Sequence, residues 1–338
     1  MEKNQFQTLQ SMTPRQRAIE ALERRRPPGA VPTCEIAFDL FEGWLGRPIT
    51  DLGRLEGSSP GQRDIILRSY VHDTVDVYRQ IDHCIITHWY PPDKTDELAE
   101  LIAAYRVEIG DEFMLGFAAD GTRGFPPDGE LESFSYRLVD EPEKVKDESK
   151  RGIEQALVKA ARMKQAGADV VWMGRDYAMN TGPFLSPDMF AEFVTPYLKQ
   201  VIAGFRELGL YVIKHTDGNI NVIIDQIVEA GPHAIHSLDP IANMDIRQVK
   251  EEYGDRVALI GNVSHGPLQM KQRKDVAKSA RYCLTHGGVE KGGYIYSTSN
   301  AVFGGELTGI NVEEYRYMLS IRDQFMKQLD ISNEESTI

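Results

Sequence analysis

The stretch Gly209-Leu210-Tyr211-Val212-Ile213-Lys214-His215-Thr216-Asp217-Gly218-Asn219 decides the fold. Gly209 is typical of the end of a helix and the turn into a strand. The β-rich run Tyr211–His215 follows and ends in a cluster of polar residues. Short runs of this kind, separated by longer helical stretches, are typical of parallel βα units. The stretch therefore predicts one repeat of an α/β fold with polar groups at the end of its strand.

The same pattern recurs along the chain, and several of the β-rich runs are preceded by glycine. Eight such runs of about five residues, each followed by a helical stretch, predict a closed (β/α)₈ (TIM) barrel. A doubly wound open sheet is the alternative, but the Gly-rich phosphate turn expected after its first strand is missing. The eight predicted strands are Val31–Ile36, Cys84–His88, Phe113–Ala119, Asp169–Gly174, Tyr211–His215, Ala234–Leu238, Val257–Gly261 and Gly293–Ser297.

Three helical stretches carry clear signals. Thr13 is a predicted N-cap and Pro14 the first helical residue of a helix that runs to about Arg25. Apolar residues recur at helical spacing over 60–81. The stretch 187–207 opens with serine and proline and is predicted as one amphipathic helix.

The chain is predicted to be a single domain. It has an N-terminal helical extension over residues 1–30, the barrel over 31–328 and a polar, frayed tail over 329–338. The segment Asp120–Leu138 is rich in Gly, Pro and acidic residues and is too long for a plain turn. Long loops of this kind are usually lids or binding loops.

Composition excludes several classes of function. The 338 residues carry 51 acidic and 38 basic side chains and a formal net charge of −13, which argues against nucleic acid and anionic membranes as partners. Cys34, Cys84 and Cys283 lie far apart and predict no disulfide framework. No signal peptide and no apolar run of about 18 residues are found. We therefore expect a soluble cytoplasmic protein.

Polar residues end nearly every predicted strand. In barrels of this type the active site is built at the carboxyl ends of the strands. This convergence predicts an enzyme rather than a scaffold. The strand-end residues are Glu35, His88, Asp120, Asp176, His215, Asp217, Asp239, Asn262, His265 and Asn300.

His215 and Asp217 give the sharpest signal. They are two residues apart at a strand end, so their side chains point the same way. Such a pair could hold a divalent metal or act as acid and base; otherwise Asp217 caps the next helix and His215 fills a polar layer. We predict catalytic roles for His215, Asp217, Asp176 and Asn300.

The remaining candidates are assigned to substrate binding. His88 and Trp89 could form an aromatic wall for a flat substrate, or they simply pack. The other histidines, including His236, are expected to be structural or at the surface. The predicted substrate-binding residues are Glu35, His88, Trp89, Asp120, Tyr177, Asn219 and Asn262.

From about Met12 to Gln328 the chain resembles the uroporphyrinogen decarboxylase superfamily, whose fold is a (β/α)₈ barrel. The motifs identify the superfamily and not one activity within it. They are Gly167-Ala168-Asp169, Leu185-Ser186-Pro187-Asp188-Met189-Phe190, Val194-Thr195-Pro196-Tyr197-Leu198-Lys199, His215-Thr216-Asp217-Gly218-Asn219, Gly254-Asp255-Arg256-Val257-Ala258-Leu259-Ile260-Gly261-Asn262 and Gly292-Gly293-Tyr294-Ile295.

The sequence lacks several features of the decarboxylase branch of this superfamily. Its members grip the carboxylates of the porphyrinogen with arginines after the first strand, and Val31–Gly46 contains no arginine. Trp89 stands where an aspartate is expected, and Asn300 stands in the place of a histidine.

The cobalamin-dependent methyltransferase branch fits better. Several members bind zinc through His-x-Cys after the fifth strand and a cysteine after the eighth; here these positions are His215-x-Asp217 and Asn300. The resemblance implies zinc on His215 and Asp217, with Glu35 or another strand-end carboxylate as third ligand, which suits O-demethylation better than thiol activation.

The predicted function is methyl transfer from a small O- or N-methyl donor to a corrinoid carried by a partner protein. The resemblance also allows a homodimer. The alternatives are uroporphyrinogen decarboxylase or a related cofactor-free carboxy-lyase, and a non-catalytic ligand-binding barrel.

Overall fold

The computed structural model describes residues 12–89, 94–126, 129–304 and 309–335. Its strands are β1 (Phe38–Asp39), β2 (Ile85–His88), β3 (Met114–Ala118), β4 (Val170–Met173), β5 (Ala178–Met179), β6 (Gly182–Pro183), β7 (Tyr211–Thr216), β8 (Ala234–Ser237), β9 (Ala258–Ile260), β10 (Tyr294–Ile295) and β11 (Val302–Phe303). Its helices are α1 (Pro14–Leu22), α2 (Phe41–Leu45), α3 (Pro60–Ile81), α4 (Thr95–Ile109), α5 (Leu131–Asp140), α6 (Pro142–Ala166), α7 (Pro187–Phe193), α8 (Thr195–Glu207), α9 (Ile224–Glu229), α10 (Ile246–Tyr253), α11 (His265–Gln269), α12 (Arg273–His286) and α13 (Val312–Glu335).

A parallel sheet in the order β10-β9-β8-β7-β4-β3-β2 forms most of a barrel. Thr33 closes it, because this residue forms parallel bridges to His83 on one side and to Tyr296 on the other. The predicted first strand, 31–36, therefore occupies its expected place but pairs only around this residue. Pro32 has no N–H group to donate, which helps to keep the ladder short. The predicted (β/α)₈ architecture is confirmed.

Successive residues of each strand point alternately into the barrel and out to the helices. Along β4, Val170 and Trp172 lie in the interior cluster, whereas Val171 packs with the helix layer. Ile213 of β7 also points inward. His215, two residues later, shares this inward face.

Helix α1 closes the amino-terminal end of the barrel. Thr13 caps it as predicted: its side chain accepts a hydrogen bond from Gln16 N at 3.2 Å, and the Gln16 side chain accepts one from Thr13 N at 2.9 Å. The helix ends at Leu22 rather than near Arg25. Ala18 and Leu22 are fully buried in the interior cluster, so the extension forms part of the barrel core.

Three predictions about helices need correction. The stretch 187–207 forms two helices, α7 and α8, because Pro196 lacks the N–H that a continuous helix would need. The end of the predicted loop Asp120–Leu138 belongs to helix α5. Helix α13 continues into the expected tail as far as Glu335, since a helix already formed adds residues at little cost.

The helix predicted over 60–81 is confirmed as α3. Of the helices that the structure describes, none is both long and apolar enough to cross a membrane.

Candidate metal centre at the barrel mouth

Asp176, His215 and Asp217 come together at the carboxyl end of the barrel. One potential ligand atom from each lies within 4.8 Å of the others. Nε2 of His215 is 3.6 Å from Oδ1 of Asp176 and 3.8 Å from Oδ1 of Asp217. His215 is buried, while the two carboxylates are partly open to solvent. Three converging donors with an open side make this group a candidate metal centre.

Local backbone geometry explains the spacing of the motif. Asp217 follows His215 by two residues, so both extend from the inward face of β7. Asp176 follows β4, the neighbouring strand, and its Oδ1 accepts a hydrogen bond from Asp217 N at 2.8 Å. Gly218 has a φ of +86°, and a Cβ there would collide with the carbonyl group of Ala178. Only glycine lets the chain leave the site in this direction.

The imidazole of His215 is neutral. Burial, with a further effect of the nearby Lys214, lowers the pKa of His215 to about 3. Its Nδ1 lies 2.8 Å from Nδ1 of His236, and Nε2 of His236 lies 3.1 Å from the carbonyl oxygen of Thr298. A neutral histidine is the form that binds metals.

The carboxyl group of Asp217 has a raised pKa and an incomplete set of hydrogen bonds. Burial, and then the charge of Asp176, raise the pKa of Asp217 to about 6, against the opposing effects of Ser237 and Asn300. Its Oδ2 accepts a hydrogen bond from Asn300 Nδ2 at 2.9 Å. Its buried Oδ1 makes no hydrogen bond of good geometry, although the hydroxyl of Ser237 lies close to the carboxylate. A buried carboxylate oxygen left without a well-formed hydrogen bond is rare unless something else binds it.

Glu35 lies outside this group of ligands. Its carboxylate accepts hydrogen bonds from Ser297 Oγ at 2.9 Å, Thr298 Oγ1 at 2.6 Å and Tyr315 OH at 2.9 Å. The neighbouring Cys34 points into the barrel, so Glu35 is turned towards helix α13. In the structure Asp176, and not Glu35, completes the set of three.

Trp89 forms one wall of the mouth. Its indole N–H donates to the carbonyl oxygen of Ile36 at 2.7 Å, and its ring lies where a side chain at Gly174 would stand. Gly174 follows Met173, which is paired with Lys214, so the ring lies beside the strand position of His215. The side chain is 42% exposed. The structure thus brings Trp89 to the site as a fixed, flat surface.

His88 and Tyr177 do not reach the mouth. The ring of His88 packs against Tyr70 and Tyr105 of the helix layer, with centroids 6.1 and 5.1 Å away. Tyr177 is buried and shares a hydrogen bond of 2.6 Å with Thr122. His88 is an outward-facing residue of its strand, which explains why the expected aromatic wall contains Trp89 without it.

Asp120 is held in an ion pair below the mouth. Its Oδ1 accepts from Thr122 Oγ1 at 2.6 Å, and its Oδ2 lies 3.3 Å from Nζ of the fully buried Lys214. The carboxylate has partners on both oxygens, so it orders the β3 and β7 ends.

The two asparagines predicted to bind substrate also make local bonds. The Asn262 side chain donates to Leu238 O at 2.5 Å and accepts from Cys283 Sγ at 3.2 Å. Asn219 Oδ1 accepts a hydrogen bond from Asn221 N at 3.1 Å. Both side chains shape the turns around the mouth rather than project into it.

His236, which the sequence predicts to be structural or at the surface, is fully buried and in contact with His215. The β7–β8 register places it directly opposite His215 on the neighbouring strand. The sequence does place His236 near the end of the predicted strand Ala234–Leu238, the next strand along the chain after the one that carries His215.

Comparisons with known proteins identify the family. The model of the family described as uroporphyrinogen decarboxylase (URO-D) matches residues 129–321. No curated protein sequence matches the chain.

Among solved structures, the chain is similar to a methyltransferase from Methanosarcina mazei. Sequence identity is 17%, the alignment covers 93% of this chain and 99% of that one, and the TM-score is 0.70. A D-psicose 3-epimerase from Clostridium cellulolyticum H10 aligns at 11% identity over 77% of this chain and 93% of that one, with a TM-score of 0.44. Since the family match spans more than half of the residues, the chain belongs to the uroporphyrinogen decarboxylase family.

Proposed function

We propose that this protein is a metal-dependent methyltransferase. It would transfer a methyl group from a small O- or N-methylated substrate to a reduced corrinoid held by a partner protein. The observation that carries the proposal is the convergence of Asp176, His215 and Asp217 at the mouth of the barrel. The fold shared with the Methanosarcina mazei methyltransferase supports it.

The donor set fits zinc. One neutral imidazole and two carboxylates supply three protein ligands, as in catalytic zinc sites that keep a fourth position open. Oδ1 of Asp217, which makes no hydrogen bond of good geometry, is the atom that such an ion would satisfy. When bound, zinc would act as a Lewis acid on the oxygen or nitrogen that carries the methyl group. The set contains no thiolate, which favours an ether or amine over a thiol as substrate.

The protein's own residues would position the substrate and hold the site in shape. Asn300 fixes the orientation of Asp217 through the bond to Oδ2. Trp89 offers a flat apolar face on the side of β4. The methyl group would leave without its bonding electrons, which stay on the substrate oxygen or nitrogen, while the reduced corrinoid supplies the electron pair of the new bond. No oxidant is needed.

The direct test is methyl transfer to chemically reduced cobalamin. Zinc-loaded protein would be mixed with a panel of methoxybenzoates and methylamines, and methylcobalamin would be followed by its absorbance. We expect at least one substrate to react, and His215→Ala to slow the reaction about 1,000-fold. Failure of the whole panel with fully loaded protein would contradict the proposal.

A cofactor-free carboxy-lyase is the second candidate. The raised pKa of Asp217, about 6, lets this carboxyl hold a proton near neutral pH, as a decarboxylase needs for its carbanion product. Formation of coproporphyrinogen from uroporphyrinogen by the metal-free protein would favour this candidate over methyl transfer.

A further inference from the structure

We propose that His236 is a positioning residue that fixes which nitrogen of His215 carries the proton. By accepting a hydrogen bond from Nδ1 of His215, it would leave the lone pair on Nε2 facing Asp176 and Asp217. The inference rests on the metal centre of the proposed function and not on methyl transfer as such.

The hydrogen bonds of His236 allow one neutral arrangement. The carbonyl oxygen of Thr298, 3.1 Å from Nε2 of His236, can only accept, so this nitrogen carries a hydrogen. A neutral imidazole has one N–H, which leaves Nδ1 of His236 as an acceptor. Nδ1 of His215, 2.8 Å away, must then be the donor. The only nitrogen of His215 without a hydrogen is Nε2, the one that faces the carboxylates.

The surroundings of His236 disfavour a charged ring. Its side chain is fully buried, and Trp172 packs edge-on against it with ring centroids 5.6 Å apart. Its two hydrogen-bond partners are a backbone carbonyl and an imidazole, and neither is an anion. A buried cation without a counter-ion would be strongly disfavoured.

Thr298, at the end of this chain of hydrogen bonds, is itself held in place by Glu35. Thr298 donates to Glu35 from its hydroxyl at 2.6 Å, and its backbone N–H is 3.2 Å from the same carboxylate oxygen. Tyr315 of α13 holds the other oxygen of Glu35 at 2.9 Å. Glu35 would therefore act on the site at a distance, by fixing the Thr298 carbonyl group that orients His236.

Outer partners of this kind set the affinity of metal-binding histidines. A second bond to the ring fixes both its tautomer and its orientation, and loss of such a partner typically lowers metal affinity by about 10- to 100-fold. Without its acceptor, His215 could place its hydrogen on either nitrogen, and the Nε2–H form cannot bind the ion.

The first test reads the tautomers in the intact, metal-free protein by ¹⁵N NMR of the imidazole rings. We expect a hydrogen on Nδ1 of His215 and on Nε2 of His236. His233 is an internal reference, because its Nδ1 accepts from Val212 N at 2.9 Å and its hydrogen must be on Nε2. A hydrogen on Nε2 of His215 would overturn the proposal.

The second test measures zinc affinity by competition with a chelator. His236→Phe should bind zinc about 10- to 100-fold more weakly. His236→Gln, which retains an acceptor oxygen, should lose less. His233→Asn, directly before the strand that carries His236, is the matched control and should bind zinc as the wild type does.

Unchanged zinc affinity in a folded His236→Phe variant would contradict the proposal. If that variant does not fold, the tautomer measurement on the wild type decides alone. Predicted tautomers and zinc affinities without any methyl transfer would refute the proposed reaction while leaving the role of His236 intact.

Discussion

Two aspartates at opposite ends of the barrel have opposite surroundings. Asp169, just before β4, accepts hydrogen bonds from Arg15 Nη2 at 2.9 Å, Arg106 Nη2 at 2.6 Å and Leu115 N at 3.0 Å. Asp217, just after β7, has a second carboxylate as neighbour and a buried oxygen without a hydrogen bond of good geometry. The carboxylate at the amino-terminal end is paired with two arginines of the protein, whereas the one at the mouth has no cationic partner among the described residues, since its neighbour His215 is neutral.

The different surroundings of Asp169 and Asp217 indicate that the two ends of the barrel have different roles. Polar groups at the amino-terminal face of a barrel serve the fold, while those at the carboxyl ends of strands serve the site. Two buried hydroxyls near the mouth, those of Ser237 and Ser299, lie close to the carboxylates of Asp217 and Asp239 but make no hydrogen bond of good geometry. Unsatisfied polar groups of this kind are tolerated where a ligand completes them.

Substitution of His215 at the barrel mouth should have the largest effect on activity. His215→Ala removes the neutral donor, and loss of Lewis-acid assistance worth several kcal/mol should lower kcat/KM about 1,000-fold. The melting temperature of the metal-free protein should also fall somewhat, because the substitution leaves a buried nitrogen of His236 without its partner. Steady-state kinetics of methyl transfer would measure kcat/KM, and calorimetry would measure the melting temperature. A His215→Ala variant with full activity would show that the reaction does not need this residue.

Asp169→Asn should lower the stability of the protein and leave zinc binding unchanged. It leaves Arg15 and Arg106 without their shared carboxylate, and breaking a buried pair of this kind costs about 3 kcal/mol. Urea unfolding would measure this loss. The zinc affinity of the folded variant should equal that of the wild type; a parallel loss of zinc affinity would show that the two ends are not independent.

The contribution of Glu35 to stability should depend on pH. Burial raises the pKa of Glu35 to about 7, despite its hydrogen bonds. Between its unfolded value of about 4.5 and this folded value, only the folded state keeps the proton. Its contribution to stability is therefore complete below pH 4.5 and declines by about 3 kcal/mol as the pH rises through 7.

Glu35→Gln should lack this dependence, since glutamine does not titrate. The difference in unfolding free energy between wild type and variant should therefore fall from pH 5 to pH 7. A difference that stays constant would mean that Glu35 is ionised in the fold throughout, as its three hydroxyl partners alone would suggest.

Trp89→Ala should have the smallest effect. Loss of the flat wall should raise KM for an aromatic substrate about fivefold with kcat nearly unchanged, as expected for a stacking contact of about 1 kcal/mol. Trp89→Phe should recover part of the loss. An unchanged KM would mean that the indole only covers Gly174.

Sequence patterns were sufficient for the elements that depend on local chemistry. The N-cap at Thr13, the helix over 60–81 and the succession of strands all follow from neighbouring residues, and the structure confirms them. His215 and Asp217 were paired correctly because their spacing of two is a property of one strand.

Contacts between strands were harder to predict. Glu35 and His88 face the helices, while His236 faces the barrel directly opposite His215. Which face a residue takes depends on the register between strands, and a shift of one residue reverses it. Asp176 joins the ligands through a loop whose course is set by contacts across the chain, such as its bond to Asp217 N.

Anomalous scattering at the zinc edge, from crystals of zinc-loaded protein, tests the metal centre most directly. We predict one peak per chain, about 2.0–2.1 Å from Nε2 of His215, with oxygens of Asp176 and Asp217 in the same coordination sphere. The peak should vanish in His215→Ala. A zinc ion bound elsewhere, or none at this position in fully loaded protein, would contradict the account.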